Sequence, residues 1–219
     1  MVSGAFGRRA PVYLDHNATS PLKPAVREAM VAALDLPGNP SSVHAFGRAA
    51  RKAVEQAREA VAALVGSRPA GVVFTAGATE ANNWALKAFR ESRRLLVSAI
   101  EHESVLAAAG GAERVPVTAD GVLDVTALGA LLAASDRPAL VSVMLVNNET
   151  GVIQPVAEAA RLARAHGALV HVDAVQAAGR LPLDVTALGA HFLSVSAHKM
   201  GGPKGVGALV LAEGVDLEP

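Results

Sequence analysis

Residues 139–151 of the chain read ALVSVMLVNNETG, an almost continuous apolar run that ends in polar residues and a glycine. This composition is typical of a strand buried on both faces, because helices cover both sides of a parallel sheet. Further short apolar runs alternate along the chain with alanine- and leucine-rich stretches. The pattern predicts an α/β fold of three layers, in which a mostly parallel seven-stranded sheet is flanked by helices.

The apolar periodicity predicts the individual elements. The strands are expected at Val72–Thr75, Leu95–Ser98, Arg114–Val117, Ala139–Val146, Ala168–Val172, Phe192–Ser196 and Gly207–Leu211. The helices are expected at Pro24–Leu34, Arg48–Val65, Glu80–Arg90, Val125–Ala134 and Val156–His166, and the second has the clearest helical period. The heptapeptide DVTALGA occurs at residues 124–130 and again at 184–190. In each copy the aspartate is expected to cap a helix or a turn.

The composition excludes several functional classes. The 219 residues carry 20 basic and 20 acidic side chains, which is not the charge balance of a nucleic-acid binder. They include no cysteine, which excludes disulfides, thiolate metal sites and a thiol nucleophile within this sequence. No apolar run is long enough to span a membrane, and Met1–Arg9 lack the apolar core of a signal peptide. We therefore expect a cytoplasmic protein with no metal, nucleic acid or membrane as its partner.

Polar segments follow the carboxyl ends of five predicted strands, so they would meet at one edge of the sheet, where ligands bind in such folds. The first, Thr75–Glu80, is a glycine turn between a strand and a helix. The free N–H groups of a helix N-terminus favour an anion such as phosphate, although the same turn is also typical of a tight connection. It is neither a Walker A loop nor a GxGxxG fingerprint.

Two ionisable residues follow the next candidate strands. Asp173 is either a loop cap or a fixed negative charge that keeps a pyridine ring nitrogen protonated. Lys199 follows a buried strand and lies among glycines, a setting that favours a nucleophilic amine. Lys204 is its rival in the same segment, and Lys199 is preferred because it is closer to the strand end.

The remaining two segments leave alternatives open. Asn147 and Asn148 either bind a ligand or form an Asx turn. His102, between Glu101 and Glu103, is either structural or an acid–base group. An anion site, a carboxylate for a ring nitrogen and a reactive lysine at one sheet edge together predict a site for pyridoxal phosphate.

Seven motifs between about Val12 and Leu211 resemble, in order, those of the cysteine desulfurases. These enzymes are a class V aminotransferase branch of the fold-type I pyridoxal-phosphate enzymes. The motifs are Tyr13–Thr19, Gly38–Ser42, Thr75–Glu80, Glu101-His102, Val146–Gly151, His171–Gln176 and Ser196–Gly205.

The resemblance implies that nine residues surround a pyridoxal 5'-phosphate cofactor. Lys199 would bond covalently to the cofactor aldehyde and shuttle the Cα proton, while Asp173 would pair with the ring nitrogen. Gln176 would hydrogen-bond the phenolic oxygen, and His102 would stack on the ring and act in proton transfer. The phosphate would be held by Ala78, Thr79, Ser196 and His198, and Asn148 would contact the substrate or a cofactor oxygen.

The resemblance also implies an activity, the removal of sulfur from L-cysteine to give L-alanine and a persulfide for iron–sulfur clusters or tRNA thiolation. A homodimer and a sulfur-acceptor protein are implied as well. We expect residues 1–25 to form an arm and residues 26–219 the cofactor-binding large domain. In such enzymes the nucleophilic cysteine lies on a further, small domain, so the chain alone is expected to be inactive. The alternatives are a selenocysteine lyase, an aminotransferase or a non-catalytic cofactor-binding remnant.

Overall fold

A seven-stranded sheet organises residues 11–217, the part of the chain that this computed structural model describes. Two predictions, that Met1–Arg9 are not a signal peptide and that an N-terminal arm starts the chain, fall on residues outside the described ones. The strands are β1 (Val72–Thr75), β2 (Arg94–Ser98), β3 (Glu113–Val115), β4 (Ala139–Met144), β5 (Leu169–Asp173), β6 (Phe192–Ser196) and β7 (Gly207–Leu211). Their order across the sheet is β1-β7-β6-β5-β4-β2-β3.

The sheet is mostly parallel, as the sequence predicts. Among the described strands, β7 alone is reversed, and it pairs antiparallel with both β1 and β6. The β2–β3, β2–β4, β4–β5 and β5–β6 pairs are parallel. The carboxyl ends of the other strands therefore lie at one edge of the sheet, where β7 begins.

Helices cover both faces of the sheet. The helices of the described chain are α1 (Pro24–Leu34), α2 (Ala45–Leu64), α3 (Ala78–Lys87), α4 (Glu103–Ala108), α5 (Val125–Ala133) and α6 (Val156–Ala165). Helix α1 has no buried residue and does not contribute to the cover. One apolar core contains residues of α2, α5 and α6, and a second contains residues of α3 and α4. Strand β5 contributes to both, because Val170 and Val172 lie in the first core and Leu169 packs against the second. The three predicted layers are confirmed.

The differences from the predicted elements have local causes. Helix α4 was not predicted, because its six residues are too short to show a helical period. Helix α2 begins earlier than expected, at Ala45, because the His44 side chain accepts a hydrogen bond from the Gly47 N–H and caps it. Within residues 11–217, no helix is both long and apolar enough to cross a membrane.

The repeated heptapeptide adopts two structures. In the first copy Asp124 caps α5, and its Oδ1 accepts a hydrogen bond from the Ala127 N–H at 2.9 Å. In the second copy Asp184 accepts from Thr186 and Ala187, but the residues form turns. The apolar Leu131 and Leu132 extend the first copy as a helix, whereas β6 begins almost directly after the second.

The cap at Asp124 gives a modest stability prediction. Replacing Asp124 with alanine leaves a helix N–H without its side-chain acceptor and is expected to lower the free energy of unfolding by about 1 kcal/mol. Urea unfolding monitored by circular dichroism measures the change. Asp124→Asn is the control, because its amide oxygen still accepts the bond. An equal loss in both variants would contradict the capping role.

Candidate active site

A cavity of about 850 Å³ opens at the edge where the parallel strands end. It brings together all nine residues that the sequence singles out. The cavity is lined by Ala78, Thr79, His102, Asn148, Asp173, Gln176, Ser196, His198 and Lys199. These residues come from the ends of β1, β2, β4, β5 and β6 or from the segments that follow them.

The turn between β1 and α3 forms one wall. Gly77 precedes the helix with a φ of +156°, which favours glycine, and an added Cβ there would meet no atom within 4 Å. Glu80 Oε2 accepts a hydrogen bond from the Ala76 N–H at 2.6 Å and holds the turn. On the neighbouring strand, a Cβ at Gly207 would lie 2.7 Å from the Gly77 Cα, so only glycine lets β7 begin so close to this turn. The wall therefore presents the first N–H groups of α3 to the cavity.

Asp173, the last residue of β5, is a buried carboxyl that also lines the cavity. Its Oδ1 accepts a hydrogen bond from the Val175 N–H at 3.0 Å, and its Oδ2 accepts one from Asn82 Nδ2 at 2.8 Å. Burial raises the pKa of Asp173, while these two bonds and the charges of His102 and Lys199 act in the opposite direction. The site thus holds a desolvated carboxylate without a direct cationic partner among the described residues.

His102 lies at the N-terminus of α4 and caps it. Its Nδ1 accepts a hydrogen bond from the Ser104 N–H at 3.1 Å and lies 2.8 Å from the Ser104 Oγ. The imidazole is therefore held through one nitrogen, and the ring forms part of the cavity wall.

Glu101, which precedes His102, is buried behind the cavity. Its Oε1 accepts a hydrogen bond from the Met144 N–H at 2.5 Å and continues the β4 ladder where β2 has ended at Ser98. Burial and the charge of Asp173 raise the pKa of Glu101 well above its usual range, despite the Met144 bond and the charge of Arg114. Sequence reasoning considered this carboxyl only as a charge beside His102, whereas its hydrogen bond to Met144 anchors the loop that carries His102.

Lys199 ends a short 3₁₀ turn, Ala197–Lys199, that follows β6. Its Nζ donates hydrogen bonds to the main-chain oxygens of Asn17 at 2.5 Å and Ala18 at 2.9 Å. Burial and the charge of Arg180 lower the pKa of Lys199, against the opposing charges of two aspartates. The lowered pKa favours Lys199 as a nucleophilic amine. Its rival Lys204 also lines the cavity.

The sequence of residues 12–219 matches the family described as aminotransferase class-V. The chain belongs to the class V aminotransferase family. Among its class V relatives is an "IscS-like cysteine desulfurase" of Mycobacterium tuberculosis, 46% identical over 94% of this chain and 57% of the relative. A mitochondrial cysteine desulfurase of Drosophila melanogaster is 42% identical over 95% of this chain and 48% of the relative. The chain thus spans about half the length of these relatives.

Solved structures have the same class V fold. A NifS-like protein from Rickettsia africae superposes with a TM-score of 0.90 at 36% identity, over 95% of this chain and 60% of that one. The structure titled "SspA in complex with cysteine" superposes with a TM-score of 0.87 at 35% identity, over 94% of this chain and 63% of that one. The predicted family and fold class are therefore confirmed.

The N-terminal motif Tyr13–Thr19 closes the class V cavity on one side. The Asn17 main-chain oxygen accepts a hydrogen bond from Gln176 Nε2 at 3.0 Å as well as the bond from Lys199. Its side-chain amide donates to the Asn148 main-chain oxygen at 3.2 Å, and its Oδ1 accepts from Arg180 at 3.0 Å. Sequence reasoning missed Asn17 and Arg180 as parts of the site, because their partners are remote in the chain.

The two asparagines after β4 have different surroundings in this class V chain. Asn147 Oδ1 accepts hydrogen bonds from the Glu149 and Thr150 N–H groups, both at 2.9 Å, and its amide donates to the Ile100 oxygen at 3.1 Å. Asn147 therefore forms the Asx turn that the sequence left as an alternative. Asn148 lines the cavity.

Two further polar residues of the site, Asn82 and Ser104, were not predicted. Both are buried, and Asn82 Nδ2 donates to Ser104 Oγ at 3.0 Å. Asn82 lies one turn from Ala78 and from Leu86, on a helix face that is otherwise apolar. The sequence signal for Asn82 is a polar residue on an otherwise apolar helix face, because a buried amide requires hydrogen-bond partners.

Proposed function

We propose that this chain is the pyridoxal-phosphate-binding part of a cysteine desulfurase. The observation that carries the proposal is the convergence of Lys199, Asp173 and the N-terminus of α3 on one cavity of about 850 Å³. The names of the relatives support the same activity. The proposal takes residues 26–219 as the cofactor-binding domain and residues 1–25 as an arm.

The residues of the cavity fit this cofactor. The buried carboxylate of Asp173 has a raised pKa, and a protonated ring nitrogen would supply the positive charge that this site otherwise needs. The first N–H groups of α3, at Ala78 and Thr79, would bind the phosphate, and Ser196 and His198 would complete its contacts.

Each residue of the cavity would then have its own role in the reaction. Bound pyridoxal phosphate supplies an aldehyde that bonds to amines and a protonated ring that accepts electron density from the substrate Cα. Lys199 would hold the aldehyde carbon through Nζ and, after the substrate amine has replaced it there, would take the Cα proton, a role that its lowered pKa favours. His102 would stack on the ring, Gln176 would bind the phenolic oxygen, and Asn148 would contact the substrate or a cofactor oxygen.

We propose L-cysteine as the substrate. In the overall reaction an enzyme thiol and L-cysteine give a persulfide and L-alanine. The carbon–sulfur bond of cysteine breaks, a sulfur–sulfur bond forms, and a hydrogen passes to the alanine methyl group, so no external oxidant or reductant is needed. The 219 residues contain no cysteine, so this thiol would lie on a segment outside them.

The proposal extends to partners and location. A homodimer is supported by large apolar side chains that are exposed in the N-terminal part of the described chain, namely Val12, Leu14, Leu34, Val43 and Phe46. The proposal also includes a sulfur-acceptor protein for iron–sulfur cluster assembly or tRNA thiolation, and a cytoplasmic location.

The decisive test of the activity compares two proteins. One is the 219-residue chain, and the other is the same chain extended by whatever its own reading frame encodes downstream. Both are saturated with pyridoxal phosphate and given L-cysteine under reducing conditions, and sulfide and L-alanine are measured. We expect stoichiometric sulfide and alanine from a cysteine-bearing extended protein, and a rate at least about 1,000-fold lower from the 219 residues, because the thiol nucleophile is missing.

Other outcomes of this test favour the alternatives. Rapid sulfide release by the 219 residues would contradict the role assigned to the outside thiol. Release of selenide from selenocysteine without turnover of cysteine would indicate a selenocysteine lyase, and amino-group transfer to a keto acid would indicate an aminotransferase. A downstream frame without a cysteine, together with no turnover, would favour the non-catalytic remnant.

A further inference from the structure

We propose that Asn82 and Ser104 are positioning residues that join His102 to Asp173 and hold the His102 imidazole as its Nε2–H tautomer. The hydrogen bonds run from Asp173 through Asn82 and Ser104 to His102. The tautomer follows from the contacts of the chain itself, and only its consequence for catalysis rests on the proposed function.

Asp173 sets the donor and acceptor roles in these hydrogen bonds. Both Asp173 oxygens accept hydrogen bonds, Oδ1 from the Val175 N–H and Oδ2 from the Asn82 nitrogen at 2.8 Å. The same nitrogen, which has two N–H groups, lies 3.0 Å from Ser104 Oγ and donates its other hydrogen there. The acceptor at Asp173 Oδ2 therefore fixes which way the buried amide faces.

The donor and acceptor roles at Ser104 then determine those at His102. Because Ser104 Oγ already accepts a hydrogen from Asn82, its own hydrogen is free for His102 Nδ1, which lies 2.8 Å away. The Ser104 N–H also donates to Nδ1, at 3.1 Å. A nitrogen that accepts hydrogen bonds carries no hydrogen itself, so the neutral imidazole must carry its proton on Nε2.

Because three of the four residues are buried, one set of donor and acceptor roles is favoured over the reverse set. Asn82 is fully buried, and Ser104 and Asp173 are 9% and 5% exposed. Asn82 Oδ1 has no hydrogen-bond partner among the described residues, and turning the amide over would direct this oxygen at Asp173 Oδ2 and break both bonds that the nitrogen donates. His102 itself is exposed, so the three buried residues set the preference. The three bonds therefore favour one direction over the other.

The consequence concerns how His102 would meet a ligand in the cavity. His102 lines the cavity, and with Nδ1 occupied, Nε2 is the ring nitrogen left for a ligand. If the proposed function holds, neutral His102 donates a hydrogen to the bound molecule rather than accepting one. Asn82 and Ser104 act on the reaction only through His102 and Asp173.

The test is the protonation of each ring nitrogen, measured by long-range ¹H–¹⁵N NMR on the 219-residue chain labelled in histidine. The two nitrogens of neutral imidazole differ widely in ¹⁵N shift according to which one carries the hydrogen. The signals of His102 are identified by their loss in His102→Gln. We expect Nε2 to be protonated and Nδ1 to be bare in the wild type, with no cofactor added.

Variants separate a positioning role from a merely structural one. Ser104→Ala removes one donor to Nδ1, and the ratio of the Nε2–H to the Nδ1–H form is expected to fall about fivefold, which corresponds to one ordinary hydrogen bond of about 1 kcal/mol. Ser104→Thr retains the hydroxyl and is expected to restore the ratio. Asn83→Ala is the matched control, because Asn83 donates to the Ser104 main-chain oxygen but not to its hydroxyl.

Asn82→Asp tests the direction of the bonds and gives a second measurement if Ser104→Ala does not fold. A carboxyl at residue 82 would share one proton with Asp173, which is 2.8 Å away. Its oxygen could then only accept the Ser104 hydroxyl hydrogen and withdraw it from Nδ1, so the Nδ1–H form should increase. A wild-type His102 protonated at Nδ1, or a ratio unchanged in both Ser104→Ala and Asn82→Asp, would overturn the proposal. Failure to bind pyridoxal phosphate would count against the proposed function instead and leave the tautomer result intact.

Discussion

Replacing Lys199 with alanine is expected to abolish the near-ultraviolet to visible absorbance band that pyridoxal phosphate gives when it is bonded to a lysine. The band requires an amine at the cavity that reacts with the cofactor aldehyde. Lys199 has the lowered pKa that this reaction favours, and its Nζ is within hydrogen-bond distance of the Asn17 and Ala18 oxygens beside the cavity. Spectra of the pyridoxal-phosphate-saturated chain, recorded after removal of free cofactor, measure the effect.

Lys204→Ala is the matched control for this experiment. Lys204 lines the same cavity and follows Lys199 in the same glycine-rich segment, so its removal takes away the same charge. We expect the band to persist in this variant. A band lost in Lys204→Ala and retained in Lys199→Ala would assign the bond to Lys204. A wild-type chain that shows no band at saturation would refute the cofactor proposal itself.

The second large effect is expected in the stability of the fold. The fully buried His171 joins three strands, because its Nδ1 lies 2.8 Å from Ser142 Oγ on β4 and its Nε2 lies 3.0 Å from Ser194 Oγ on β6. Burial lowers the pKa of His171 to about 3. The histidine therefore stays neutral in the folded protein well below neutral pH.

The sign of the pH effect follows from the two pKa values. The unfolded chain binds a proton at His171 below a pKa of about 6.5, whereas the folded chain does so only near 3. The contribution of His171 to stability is thus complete above about pH 6.5 and is lost as the pH falls towards 3. Between pH 7 and pH 5 the loss amounts to about 2 kcal/mol in the free energy of unfolding.

His171→Gln isolates this contribution. The glutamine amide offers both a donor and an acceptor to the two serines but does not titrate. Other groups with shifted pKa values, such as Glu101 and Asp173, are present in both proteins, so their pH dependence cancels in the comparison. Urea unfolding at pH 7 and pH 5 should show the extra loss only in the wild type. The same pH dependence in both proteins would contradict the assignment.

Much of the architecture could be predicted, because strands buried on both faces have a strong apolar signal. All seven strands lie close to their predicted positions, and the polar segments after them meet at one edge as expected. The prediction was less complete where the same local sequence is compatible with two structures. The heptapeptide DVTALGA forms a helix in one copy and turns in the other, since the residues that follow decide between the two.

The fold class, the family and the residues that follow each strand could be predicted from the sequence, because apolar periodicity and local motifs are properties of neighbouring residues. The hydrogen bonds that connect the site could not, because they join residues that are distant in the chain. Asn82 and Asp173 are 91 positions apart, and Lys199 and Asn17 are 182 positions apart, yet each pair shares a hydrogen bond. Such contacts depend on strand order and on the packing of α3 and the N-terminal motif against the sheet. The direction of the bonds between Asp173 and His102 follows from burial, which becomes visible only once the chain is folded.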